Sequence, residues 1–170
     1  MSSKSLIIGA IVLVALLGLM LWGRPSAGAN PSVGGQQDNP AENSSLAAAE
    51  TFFDFGNISM KNGNVEKTFK IENPTQSDIN VTSIVTSCMC TTAYLETPSG
   101  VKGPFGMPGH GGPVGRVSET IKPGESRALK VVFDPNAHGP AGVGTIERLV
   151  LVDDESGGTL QLQIKAMVTP

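Results

Sequence analysis

Two cysteines stand one residue apart in Ser87-Cys88-Met89-Cys90-Thr91-Thr92, and they are the sharpest chemical feature of the chain. In an extended strand, residues i and i+2 point to one side, with Cα atoms about 6.6 Å apart at about 3.3 Å rise per residue. That lies at the upper edge of the roughly 4.4–6.8 Å that a disulfide spans. Local bending would allow the bond with strain, and a strained, exposed disulfide is reducible. Alternatively, two thiolates would suit a soft ion such as Cu(I) or Zn(II), although two cysteines leave a tetrahedral zinc short of ligands. The glycine-rich stretch 97–115 adds a thioether and an imidazole, Met107 and His110. Folded back over the cysteines, it would complete a Cys88, Cys90, Met107 and His110 site fit for a copper ion. The plainer reading has no cofactor: half-buried thiols or a structural disulfide, Met107 as packing, His110 in a loop.

The rest of the chain offers less chemistry. It has no G-x-S-x-G serine, no H-E-x-x-H helix and no phosphate loop. His138, in His138-Gly139-Pro140-Ala141-Gly142, reads as a loop residue and not a catalytic base. Asp153-Asp154-Glu155 lacks the ligand spacing of a calcium loop and reads as a solvated hairpin tip. We therefore expect a protein that is not an enzyme. Its 12 Lys and Arg against 15 Asp and Glu give a net charge of −3, which argues against nucleic acid as a partner.

The elements that must position these residues are strands. With 21 Gly and 12 Pro in 170 residues, an all-helical fold is disfavoured. From Thr51 the apolar period is two: Val65, Lys67, Phe69 and Ile71 share one face, and Leu129, Val131 and Phe133 another. Leu160, Leu162, Ile164, Ala166 and Val168 alternate with Gln161, Gln163 and Lys165. Residues Thr145–Val152 are apolar on both faces near the end, as in a central buried strand. The apolar parity switches between Val81 and Ile84, which predicts a bulge. Short strands at Thr51–Phe55 and Arg116–Ile121 complete an antiparallel β-sandwich of immunoglobulin type with about seven strands. Phe53, Phe55, Phe69 and Phe133 are its expected large fillers. The stretch 97–115 reads as an extra loop that packs partly onto the sandwich near the cysteines, with Phe105 as its anchor.

Ahead of the strands, residues 6–22 run from Leu6 to Trp22 without a charge. With their neighbours they reach about 28 Å as a helix, close to a thin bilayer core. The reading is one N-terminal transmembrane helix, a signal anchor over residues 1–23. A cleaved signal peptide ending at Ala27-Gly28-Ala29 is the alternative. Lys4 and the amino terminus on one side, against Arg24 on the other, orient the main domain outward. Residues 24–50 are rich in Ser, Gly, Asn and Pro and read as a flexible tether, with a short helical turn within Pro40–Glu50. Residues 51–170 would then form the extracytoplasmic sandwich of a single-pass protein in the cell membrane.

Several pieces in order carry a family likeness: Phe53-Asp54-Phe55-Gly56-Asn57-Ile58, then Thr68-Phe69-Lys70-Ile71-Glu72-Asn73, then Ser87-Cys88-Met89-Cys90-Thr91, then Lys122-Pro123-Gly124-Glu125 and Val131-Val132-Phe133-Asp134-Pro135. The chain over 51–170 resembles the bacterial domain-of-unknown-function family number fifteen-seventy-three, in the major-sperm-protein and Hydin-like group. Met89 stands where the family has glycine between the cysteines. The resemblance implies an immunoglobulin-like domain outside the cytoplasm and assigns no reaction. The expected work is therefore contact with an envelope protein partner or envelope assembly. The alternative is copper binding or thiol redox chemistry at the Cys-Met-Cys motif.

Overall fold

The computed structural model describes residues 44–109 and 115–170. Ten strands follow in chain order: β1 (Ala47–Ala48), β2 (Phe52–Ser59), β3 (Val65–Glu72), β4 (Ile79–Thr86), β5 (Thr91–Thr97), β6 (Gly100–Phe105), β7 (Arg116–Ile121), β8 (Ser126–Phe133), β9 (Gly144–Asp154) and β10 (Thr159–Thr169). They form two five-stranded sheets, ordered β1-β3-β8-β5-β6 and β2-β10-β9-β4-β7. One core serves both sheets. Phe69, Ile71, Leu95, Leu129 and Val131 come from the first, and Ile84, Val150, Val152, Leu162 and Ile164 from the second. Each such side chain removed from water contributes roughly 1.5–3 kcal/mol, which is what commits the period-two pattern to a fixed face.

Much of the strand reading stands. The five alternating residues Leu160, Leu162, Ile164, Ala166 and Val168 of β10 are buried, and the residues between them are half-buried apart from exposed Met167. β9 is the middle strand of its sheet, with β10 on one side and β4 on the other. The ladder of β4 slips between Val81 and Ser83, where the apolar parity switches. Phe69 and Phe133 fill the core. Phe53 and Phe55 lie on the edge strand β2 and are partly buried, ring against ring edge-to-face at 4.9 Å.

Other expectations change. Among the described residues there are ten strands, not about seven: β1, β5 and β6 are the additions. β5 escaped notice because Thr91, Ala93 and Leu95 form its buried face, and threonine and alanine carry little apolar signal. The sheets are not wholly antiparallel, since β2 pairs in parallel with β10. Within 97–115, the residues Gly100–Phe105 are a strand hairpinned onto β5 rather than a loop, and Phe105 is 5% exposed in the core. Packing also starts before Thr51. Leu46 is buried, and Ala47–Ala48 pair with β3 as a strand where a helical turn is expected.

Asp154 is not a solvated tip residue but is 3% exposed. Its carboxylate accepts from Ser44 Oγ at 2.9 Å, from the N–H and hydroxyl of Ser156, and from Gly158 N–H at 3.3 Å. Glu119 on β7 is also buried. It accepts from Arg127 Nε on β8 and Lys102 Nζ on β6, both at 2.8 Å, and so ties the two sheets together. The expected anchor over residues 1–23, and the expected tether of residues 24–50 as far as residue 43, lie outside the described residues. Among those described, no helix is long and apolar enough to cross a membrane.

Candidate functional site

The chain leaves the second sheet at the end of β4 and enters the first at the start of β5, and the cysteines occupy the crossover. They are therefore in a turn, not in an extended strand. Thr91 N–H donates to Cys88 O at 3.1 Å, closing Cys88–Thr91 as a β-turn. This draws the Cα atoms of Cys88 and Cys90 to 5.2 Å, inside the usual range, and the two are disulfide-bonded. The turn is pinned from both sides. Ser87 N–H donates to Leu149 O at 3.0 Å, and Leu149 N–H donates to Ser87 Oγ at 2.9 Å, which fixes it to β9. Asp134 N–H, just past β8, donates to Cys90 O at 2.8 Å. The buried Thr86 hydroxyl faces both Cys88 O and Thr91 O at 3.0 Å.

The two sulfurs have unlike surroundings. Cys88 is half-buried, whereas Cys90 is 2% exposed, and Met89 between them projects outward. His138 Nε2 lies 3.2 Å from Cys88 Sγ. Arg148 Nε donates to Cys90 Sγ at 3.1 Å. Cys90 N–H donates back to Cys88 Sγ at 3.3 Å. The ligand atoms of Cys88, Cys90 and His138 all lie within 4.8 Å of one another. Arg148 also donates to Glu147 O at 2.8 Å, and among the described residues it makes no ion pair with a carboxylate. Burial lowers its pKa from the usual guanidinium range, yet a guanidinium stays charged at any ordinary pH.

Register explains both neighbours. β4 and β9 pair Val85 with Leu151 and Thr86 with Val150, so two steps further Arg148 comes level with Cys88. β5 and β8 pair Thr91 with Phe133, so the loop after Phe133, which carries His138, opens at the same end. That loop is shaped by Asn136 N–H donating to Asp134 Oδ1 at 2.8 Å and by a short 3-10 turn at Gly139–Gly142.

Of the four expected ligands, Cys88 and Cys90 meet. Met107 is half-buried just past β6, where Thr86 N–H donates to Gly106 O at 3.3 Å. His110 lies outside the described residues. The histidine beside the sulfurs is His138, whose Gly-Pro-Ala-Gly surroundings read as an ordinary loop, and nothing in the sequence around Arg148 marks it as their neighbour. Chemically the site is an accessible sulfur beside an imidazole and a buried sulfur beside a cation. Such a pair can take up and release two electrons, and in its reduced form it presents soft donors.

Residues 46–103 match the family described as a protein of unknown function, DUF1573. The family resemblance read over residues 51–170 is borne out over that stretch. No curated protein matches the chain. Among solved structures, a protein of unknown function from Porphyromonas gingivalis aligns with TM-score 0.53 and 17% identity, covering 72% of this chain and 46% of that one. A family 123 glycoside hydrolase from Clostridium perfringens aligns at 0.49 and 8% identity over 69% of this chain and 22% of its own. The secreted serine protease VesC from Vibrio cholerae aligns at 0.47 and 11% identity over 74% and 24%. This chain spans less than half the length of each of these structures, and the Porphyromonas likeness shows the fold alone. Neither the matched family nor that structure assigns a reaction.

Proposed function

We propose that this protein is a membrane-tethered, extracytoplasmic, immunoglobulin-like β-sandwich whose Cys88–Cys90 pair exchanges disulfides with a dithiol protein of the envelope. The observation that carries the reading is the polar group set on each sulfur, Arg148 Nε on Cys90 and His138 Nε2 on Cys88. A disulfide with a purely structural task needs neither.

The exchange runs through the exposed side of the pair. A partner thiolate attacks the half-buried Cys88 Sγ, the S–S bond breaks, and its electron pair moves to Cys90 Sγ, where the guanidinium faces the new thiolate. The partner's second thiolate then attacks the partner's own sulfur in the mixed disulfide, and Cys88 departs as a thiolate beside His138. Two electrons pass to this chain, the two protons of the partner's thiols pass to the reduced pair and to solvent, and the partner leaves as a disulfide. The chain acts as a stoichiometric acceptor, and the meeting it requires is the protein contact expected from the sequence. Leu6–Trp22 as the anchor and the Ser/Gly-rich stretch after it would hold the sandwich off the outer membrane face.

The test uses the full chain in detergent micelles, equilibrated in glutathione buffers, with free thiols counted by alkylation and mass. The expected potential lies above about −300 mV, in the range of exchangeable disulfides. Arg148→Gln should lower it by about 30 mV, a tenfold change in the exchange constant. A native value below that range, or a variant indistinguishable from the parent, would mark the bond as structural. Fractionation checks the location: the native chain found in the cytosol would remove the extracytoplasmic reading.

A further inference from the structure

The reduced turn carries a second capacity at the same place. We infer that the dithiol form binds one Cu(I) through Cys88 Sγ, Cys90 Sγ and His138 Nε2, with Arg148 as the charge partner of the complex. The inference rests on the exchange reading to the extent that both need a reducible Cys88–Cys90 pair.

Three observations carry it. The three donor atoms already lie within 4.8 Å of one another, and metal bonds of about 2.0–2.3 Å would hold such a set around one ion. Thiolate sulfur and imidazole nitrogen are the donors that soft first-row ions prefer. Charge then chooses among those ions. Two thiolates and a neutral imidazole around Cu(I) leave a net charge of −1, and the guanidinium 3.1 Å from Cys90 Sγ offsets it. Around Zn(II) the same donors sum to zero, so Arg148 would face a neutral complex without compensation. Zinc would also want a fourth ligand, and among the described residues the cluster contains no carboxylate and no further histidine. Three donors satisfy Cu(I) without one.

The balance is simple. A dithiol first reduces the bond, giving the reduced pair here and a disulfide there. Copper arrives as Cu(I), binds both sulfurs as thiolates with release of the protons they carry, and keeps its oxidation state. Copper and disulfide thus compete for one pair of sulfurs, and only the reduced chain should hold the ion.

The experiment titrates the full chain in detergent, anaerobically, with Cu(I) against a chromophoric Cu(I) chelator and in parallel with Zn(II). Reduced and oxidised forms are compared. The expected result is one Cu(I) per reduced chain, none on the oxidised chain, and zinc held at least tenfold more weakly. His138→Ala should weaken copper by about a hundredfold, and Arg148→Gln by about tenfold, the usual reach of a group outside the ligand set. X-ray absorption should show two sulfur scatterers and one nitrogen. Copper held equally by His138→Ala, zinc held as tightly as copper, or a spectrum without the nitrogen would each overturn the assignment. Circular dichroism of both variants separates lost ligation from lost fold. Glutathione exchange with no copper bound by the reduced chain would overturn the copper site and leave the exchange reading standing. Copper bound after forced chemical reduction, with no exchange in glutathione, would do the reverse.

Discussion

Strand β4 runs between two turns that solve the same problem in opposite ways. Near its start, Val81 pairs with Asp154, whose carboxylate is buried and fully partnered by Ser44, Ser156 and Gly158. Past its end sits the Cys88–Thr91 turn, where Arg148 is half-buried with a sulfur and a carbonyl as its partners. At the first turn every donor has an acceptor and the anion is already present. At the second a cation is present, and among the described residues no carboxylate faces it. The contrast is between two charges drawn partly or wholly from water: Asp154 is buried with neutral donors arrayed on its carboxylate, whereas half-buried Arg148 has no carboxylate partner among the described residues, and the proposed exchange would set a thiolate against it.

The largest effect is expected at Asp154. Asp154→Ala leaves buried N–H groups of the hairpin without an acceptor and should cost about 3 kcal/mol, read as a lower urea midpoint with an unchanged slope. Its pH dependence follows from the same contacts. Burial alone would raise the Asp154 pKa, but the hydrogen bonds from Ser156, Ser44 and Gly158 outweigh it, and the pKa is lowered. A carboxyl depressed in the folded state contributes stability that is complete above its unfolded value of about 3.9 and fades as pH falls through the folded value. Urea midpoints of the parent should therefore drop as pH is lowered below about 4, and Asp154→Asn should flatten that decline. An unflattened acid limb would shift the credit to Glu119, whose pKa is held down by Lys102 and Arg127 against the opposing effect of burial.

At the other end the cost should be smaller. A disulfide between residues two apart closes so short a loop that chain entropy accounts for about 1.5 kcal/mol at most. The double substitution Cys88→Ser with Cys90→Ser should accordingly stay folded and lose no more than that in a urea titration. A loss as large as that of Asp154→Ala would make the turn a structural staple and erase the contrast. The smallest effect concerns the entry to the domain. Ser44→Ala removes one hydrogen bond to Asp154 and should cost about 1 kcal/mol, with faster amide exchange at Leu46 and Ala47 as the local readout.

The sequence was most legible where one face of a strand is uniformly large and apolar. β10, β8 and β9 announce themselves through leucine, isoleucine and valine in fixed alternation, and the slip in β4 shows as a change of parity. β5 does not, because its buried face begins with Thr91 and Ala93, small residues that fit beneath the crossover but look like loop. Missing β5 also concealed the hairpin with β6 and the register that sets the site. Cys88 and Cys90 were evident from their spacing. Their neighbours were not, because His138 and Arg148 reach them through two separate ladders, β5 with β8 and β4 with β9. A spacing rule within one segment, such as the Met107 and His110 pair, sees local proximity and has no access to pairing between distant strands. Asp154 misled for a related reason. An acidic run beside Ser-Gly-Gly resembles a wet turn, and only the return of residues 44–48 across it makes it dry.

The parallel pairing of β2 with β10 has a temporal side. Phe52 meets Gln163, so the first long strand must wait for nearly the whole domain to be made before its backbone N–H and C=O groups find their ladder. The antiparallel neighbours β9 and β10 face each other across a short turn and can zip early, whereas joining β2 closes a very large loop, the slow kind of contact. A chain emerging amino-terminus first would keep β2 open until β10 follows it out. That order delays completion of the sandwich until β10 has emerged.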